Sequence, residues 1–238
     1  MAGGIQRLTW DLRYPAANLS APPPPDAADL DFEPPSGPLV MPGTYKAVVS
    51  KRVDGVVTQL GPPQQFQVTV EGQESMSSAD HAALVEFQTK AMRLQRAASG
   101  ATAAANQLKP RLAAIKRAIS ETPSLPQKLQ EDATNLDRRT NEILRALSGD
   151  NAARQRNMNT PPSINDRIGY VVGAQRMSIS RPTQTQIAQY NAAAQDFETT
   201  LNQLRQLIEV DLARLEKQLE AAGAPWTPGR IPEWKNQQ

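Results

Sequence analysis

From Leu84 onward the apolar residues recur at intervals of three and four without a slip: Leu84, Phe87, Ala91, Leu94, Ala98, Ala101, Ala105, Leu108, Leu112, Ile115 and Ile119. Residues at that spacing fall on one stripe of an α-helix, so about five heptads of seam predict one long helix that buries a narrow, Ala-rich edge against other helices. Ser78 is the expected N-cap, with Asp80 in the first turn favouring the helix dipole. Pro110 sits inside the pattern and is expected to kink the helix near Gln107.

The same spacing returns twice. Leu129, Ala133, Leu136, Thr140, Ile143 and Leu147 mark a second helix, expected to start with Pro126 in its first turn and to end at Gly149. A connector, "NAARQRNMNTPP", leads to Ser163, which is expected to cap a shorter helix carrying Ile164, Ile168 and Val171. Pro182 then opens a last long helix with a seam of Ile187, Tyr190, Ala194, Phe197, Leu201, Leu204 and Ile208, followed by a step of four to Leu212, Leu215 and Leu219. That step is a stutter, which unwinds a supercoil locally. Gly223 closes the pattern. The first and last helices are each expected to run roughly 60 Å at about 1.5 Å per residue. The simplest arrangement is an elongated antiparallel bundle of three to four helices whose middle leg is broken in two.

Ahead of the helices the period is two. "IQRLTWDL" alternates loosely, and "TYKAVVSKRVDG" places Tyr45, Ala47 and Val49 on one face. Asp54-Gly55 predicts a hairpin turn into "VVTQL", because both residues tolerate positive φ. "GPP" breaks that strand, and "QFQVTV" supplies another, with Phe66, Val68 and Val70 alternating. Residues 15–42 include "APPPPDAADLDFEPPSGP", whose prolines remove backbone donors, so extended loop is expected there rather than strand. The chain therefore reads as α+β, divided into a β-region at 1–72, a helical region at 73–223 and a tail at 224–238. Residues 5–12 and 44–50 are expected to pair in a small sheet with an open edge.

Few chemistries are compatible with the composition. There is no cysteine and a single histidine among the 238 residues, which leaves no transition-metal site with the usual ligands and no thiol chemistry. His81 stands beside Ser77, Ser78 and Asp80, yet successive residues on a first helical turn point apart, so helix capping outweighs a Ser-His-Asp triad. Asp26, Asp29, Asp31 and Glu33 crowd one loop, without the glycine and spacing of a calcium-binding EF-hand. Asn18-Leu19-Ser20 fits a glycosylation sequon, a triplet common by chance. Charge is split: residues 1–75 carry five Lys and Arg against eight Asp and Glu, and the remainder 21 against 16. The cations are spread along helices poor in aromatics, which argues for solvated faces and against nucleic-acid binding. No apolar run approaches the ~20 residues of a membrane span. The opening "MAGGIQRLTW" lacks the basic and apolar regions of a signal peptide. No catalytic, cofactor-binding or metal-ligating set is identified, and no cofactor is expected.

"WD" occurs once, at Trp10-Asp11, so it is no WD repeat, which recurs every ~40–45 residues. It gains meaning in company. W-D-L-R followed by P-G-T-Y, a hairpin and a final alternating strand resembles an immunoglobulin-like module of the FlgD type. The succession "GGIQRLTWDLRYP", "MPGTYKAVVS", "QQFQVTVE", "INDRIGYVVG", "PTQTQIAQY" and "AGAPWTPGRIPEW" is similar to the C-terminal region of bacterial sortilin-like (VPS10-type), glycosyl-hydrolase-like proteins. In that family a large β-propeller of Asp-box repeats precedes these elements. This sequence has no S-x-D-x-G-x-x-W repeat, so the propeller's own function is not encoded here.

The resemblance implies a small partial immunoglobulin-like β-sandwich followed by the helical bundle. The β-region offers about four strands where such a sandwich needs roughly seven, so strands preceding Met1 are expected to be missing. It also implies a non-catalytic accessory or scaffolding region that docks on, or extends, a β-propeller absent from this chain. Trp10, the Pro-rich loop, Trp226 and Trp234 are the expected anchors. By the same resemblance the parent protein belongs to the bacterial periplasm or exterior, and the fragment is expected to be monomeric. An independent coiled-coil interaction protein is the alternative, and a hydrolase in its own right a third reading.

Overall fold

A computed structural model describes residues 7, 9–16, 36–71, 76–177, 180–231 and 234. Ile5 and Leu8, most of the Pro-rich loop with its four carboxylates, and the Asn18 sequon lie outside the described residues. The architecture is α+β, with short antiparallel strands followed by a helical region. The chain divides into two compact units, residues 1–90 with 175–182, and residues 91–174 with 183–238.

Among the described residues, six strands occupy the first unit: β1 (Arg13–Pro15), β2 (Ser36–Leu39), β3 (Gly43–Ala47), β4 (Ser50–Val53), β5 (Val56–Gln59) and β6 (Gln64–Val68). They form three two-stranded antiparallel ladders, β1 with β2, β3 with β6 and β4 with β5. The Asp54-Gly55 turn forms as expected, with φ of 48° and 82°, the positive pair that a two-residue hairpin demands. β3 and β4 run in line against β5 and β6, but the register changes between them. Ala47 pairs with Gln64, whereas Ser50 pairs with Gln59. Two residues on one strand thus oppose four on the other, including Pro62 and Pro63, which have no N–H to give.

Two strand expectations are corrected. The pairing of 5–12 with 44–50 does not form among the described residues: β3 takes β6 as its partner, and the first strand begins only at Arg13. Leu12 has a φ of 57°, a left-handed turn that ends any extended run from Trp10. Residues 36–39, expected as loop, are strand β2. Proline is tolerated on such an edge strand. Gly37 is required there, since a Cβ at this position comes within 2.5 Å of the Tyr14 carbonyl oxygen.

The helices are α1 (Ser78–Ser120), α2 (Gln127–Ser148), α3 (Asn151–Gln155), α4 (Ile164–Met177), α5 (Gln184–Arg205), a π-helical segment at Gln206–Leu212, and α6 (Ala213–Ala221). All eleven seam residues expected in α1 and all six in α2 are buried, as are Ile164, Ile168 and Val171 of α4. α1 continues through Pro110. Thr140, the polar member of the α2 seam, donates its hydroxyl to the Leu136 carbonyl at 2.8 Å, so its burial leaves no unmet donor.

The last helix departs from expectation. Its buried residues are Ala193, Phe197, Thr200, Leu204, Leu207, Leu212, Leu215 and Leu219, while Ala194, Leu201 and Ile208 are only partly buried beside them. The gap of five between Leu207 and Leu212 coincides with the π-helical segment. One extra residue widens the turn and returns Leu212 to the core side. The sequence stutter is thus accommodated as a π insertion.

Caps set the helix ends. Ser77, rather than Ser78, caps α1: its hydroxyl accepts from the Asp80 N–H at 3.2 Å and donates to Asp80 Oδ2 at 2.9 Å. Pro126 is the residue before α2, not its first helical residue, with an extended ψ of 136°. Thr183 performs the corresponding role for α5 in a reciprocal capping box with Gln186, so Pro182 lies outside that helix. Within the expected connector, Asp150 caps the short α3 by accepting from the Ala153 N–H at 3.0 Å. Gly149 and Gly223 close α2 and α6 with φ of 84° and 72°.

Polar bridges tie the helices of the second unit together. Lys116 meets Asp137 at 2.7 Å and Lys109 donates to Asn141, so α1 and α2 run in opposite directions. Arg111 forks onto both oxygens of Glu216 in α6, each at 2.8 Å. Arg139 reaches Asp211 in the π-helical segment at 2.6 Å.

Ser163 caps α4 as expected, in exchange with Asp166. The Asp166 carboxylate accepts from the Ser163 N–H at 2.9 Å and its hydroxyl at 2.8 Å, and pairs with Arg154. Burial pushes this carboxyl up, but the Ser163 bonds and Arg154 together hold it below the ordinary value. A depressed folded pKa contributes stability above the unfolded value, about 3.9 for Asp, that is lost as pH falls through the folded value. Asp166→Asn is therefore expected to flatten the acid limb of thermal melts below about pH 4 while lowering Tm at neutral pH. Parallel acid limbs in the two proteins would exclude this contribution.

Candidate interaction surfaces

Trp10 belongs to an aromatic knot in the first unit. Its ring lies 5.6 Å from Tyr45 and 6.0 Å, edge-on, from Phe66, and Tyr45 stacks on Phe66 at 6.1 Å. The knot exists because the β3–β6 register sets Tyr45 opposite Phe66. Local bonds hold Trp10 in place: its indole N–H donates to the Arg13 carbonyl at 3.0 Å, and Asp11 accepts from the Arg13 N–H at 3.0 Å. Tyr45 donates to the Met41 carbonyl at 2.7 Å. Burial, with the neighbouring Tyr14 phenol, raises its pKa above the ordinary tyrosine value. One side of Trp10 is therefore committed within the chain, although the residue remains 41% exposed.

Beyond the proline bulge, β4 and β5 are exposed along their whole length. Val53 pairs with Val56 beside the turn, Lys51 with Thr58, and the Leu60 N–H donates to the Val49 carbonyl at 2.8 Å. Because side chains alternate across a strand, Val49, Lys51, Val53, Val56, Thr58 and Leu60 share one face. Ser50, Arg52, Val57 and Gln59 share the other. Val49, Val53, Val56 and Leu60 are each more than half exposed, so this face is apolar at its corners and carries one cation at its centre. Neither Lys51 nor Arg52 forms an ion pair among the described residues.

The tail of the second unit presents the other two tryptophans. The Arg230 guanidinium lies 4.3 Å over the Trp226 ring and 3.5 Å from Glu220, and its side chain is only 6% exposed. The Gly229 carbonyl faces Arg111 at 3.5 Å. Trp226 is thus pinned on one face by a cation and 43% exposed, whereas Trp234 is 79% exposed and makes no ring contact among the described residues. Of the three expected anchors, Trp10 belongs to the first unit, and Trp226 and Trp234 belong to the second. The sequence reading missed the β4–β5 face, which the alternation of Val49, Val53, Val56 and Leu60 signals.

Around His81 the groups serve the helix terminus. Asp80 bonds Ser77 and lies 3.5 Å from Arg181, and the His81 backbone N–H donates to the Ser77 carbonyl at 3.0 Å. Among the described residues no three His, Asp or Glu side chains converge as a metal site needs. No helix among them is long and apolar enough to cross a membrane. No family model matches the chain, and neither a curated protein nor a solved structure matches it.

Proposed function

We propose that this chain is a non-catalytic accessory region that docks on, or extends, a β-propeller carried by another domain or protein. This is the role implied by its resemblance to the C-terminal region of sortilin-like, glycosyl-hydrolase-like proteins. In this reading the three ladders are part of an immunoglobulin-like sandwich, and the helices form an antiparallel bundle. The opposed α1–α2 bridges and the common core of the second unit support the bundle. The observation that carries the docking role is the placement of exposed apolar and aromatic groups. Trp226, Trp234 and the corner valines of β4–β5 face solvent, while the polar clusters are engaged in capping and helix pairing. The intramolecular burial of the α1 and α2 seams weighs against the alternative, a coiled coil that pairs with a second chain.

Titration of the chain against a separately produced sortilin-like propeller, read by light scattering, tests this directly. A monomeric chain that forms a 1:1 complex is the expected result. The complex is expected to weaken at least tenfold when Trp226 and Trp234 are both replaced by Ala. A chain that self-associates and ignores the propeller would move the assignment to the coiled-coil alternative.

A further inference from the structure

The β4–β5 ribbon carries a more specific message than general stickiness. Its apolar face has Val49, Val53, Val56 and Leu60 at the corners, 55%, 57%, 67% and 58% exposed. Together they offer apolar surface on the order of 300 Å², the size of the largest patch on an ordinary monomer, which is often functional. A two-stranded ribbon this short is marginal alone and gains stability once a face is covered. At the centre of the face stands Lys51, paired across the ladder with Thr58 and free of any ion pair among the described residues.

That central charge selects the occupant. If two copies stacked face to face about a two-fold axis, Lys51 would meet its counterpart in an apolar surround, where like charges repel strongly. A wholly apolar partner would bury the ammonium unpaired, which is costly. A partner with an apolar surface and one central carboxylate satisfies both requirements. Arg52, on the opposite face, and Lys46, in β3, add to the positive field, against Asp54 alone within 43–60.

We infer that the apolar face of β4–β5 is a docking surface for a protein partner whose contact patch is apolar with a carboxylate at its centre, opposite Lys51. The inference deepens the docking reading proposed above and rests on it, since it assigns that role to a particular surface.

The test uses the full chain and two disulfide-closed hairpin peptides. Both carry four valines on one face, with Glu at the centre in one and Lys in the other. Amide chemical shifts are followed during titration. The expected result is that the Glu peptide moves the amides of Val49, Lys51, Val53, Val56 and Leu60 and binds at least tenfold tighter than the Lys peptide. Lys51→Glu, a change at an exposed position, is expected to reverse that preference while circular dichroism stays unchanged. Equal binding of the two peptides, or none, overturns the inference. Shifts confined to Trp226 and Trp234 overturn it too, yet leave the docking reading standing. Light scattering that finds a dimer dispersed by Lys51→Glu or Val56→Lys assigns the face to a second copy instead. Tighter binding of an oligothymidine at the same amides assigns it to nucleic acid.

Discussion

Leu112→Ala is expected to lower the stability of the helical unit by about 2–5 kcal/mol. Leu112 has no exposure, lies mid-seam in α1, and belongs to the core shared by α1, α2, α4, α5 and α6. Truncation removes the transfer energy of three carbon atoms and leaves a cavity that long, mutually braced helices cannot easily collapse. Leu204→Ala, 3% exposed on α5, is expected to fall in the same range. Gln203, its exposed neighbour, points away from that core, and Gln203→Ala is expected to change stability by less than about 0.5 kcal/mol. Urea melts of the three variants decide the matter. Small and equal effects would mean that the seam is not the core.

Single-residue deletions are expected to separate two kinds of helix more sharply. Removing Arg138, an exposed residue in the middle of α2, rotates everything after it by about 100°. Thr140, Ile143 and Leu147 then leave the core. At about 1.5–3 kcal/mol for each large apolar side chain exposed, Ile143 and Leu147 alone cost about 3–6 kcal/mol, which reaches the lower part of an ordinary domain's stability. The variant is expected to be unfolded or molten in its helical unit. Deleting Val210 acts in the opposite sense. Leu207 and Leu212 then stand four apart, the π-helical segment reverts to ordinary α-helix, and every buried leucine keeps its place. That variant is expected to fold, with a melting temperature near the wild-type value. If both deletions unfold the protein, the wide turn is not an accommodated insertion.

The uneven legibility of the sequence has physical causes. α1 and α2 could be read residue by residue because their seams are built mainly of Leu, Ile and Ala at strict three-four spacing, and larger neighbours such as Met92, beside Ala91, do not recur as a competing stripe. In α5 the competition is real. Leu201 is larger than Thr200, and Ile208 matches the adjacent Leu207 in size, so the sequence favours Leu201 and Ile208 for the seam, yet both sit on its shoulder. The stutter was still visible, because an extra residue leaves the leucines on either side out of phase whichever stripe is chosen. β2 was not legible: its "SGPL" has the composition of a turn, and only the close approach to the Tyr14 carbonyl shows why a strand needs glycine there, while the proline is tolerated on an edge. Trp10 packs against Tyr45 and Phe66, strand residues that the alternation names, yet stays 41% exposed. The Arg230 contact with Trp226 had no periodic signal to announce it.

The proline bulge has a consequence for how the chain behaves alone in water. "VVTQL" is uncharged, rich in β-branched residues and exposed, the makings of a fibril-forming segment. Gly61, Pro62 and Pro63 follow it immediately, and the register changes there, so the longest uninterrupted ladder on this ribbon is four pairs. Lys51 and Arg52 guard the other strand with like charges that repel a growing stack. An apolar surface can thus remain in water as a single short ribbon, because the residues that break it also deny amyloid a template long enough to copy.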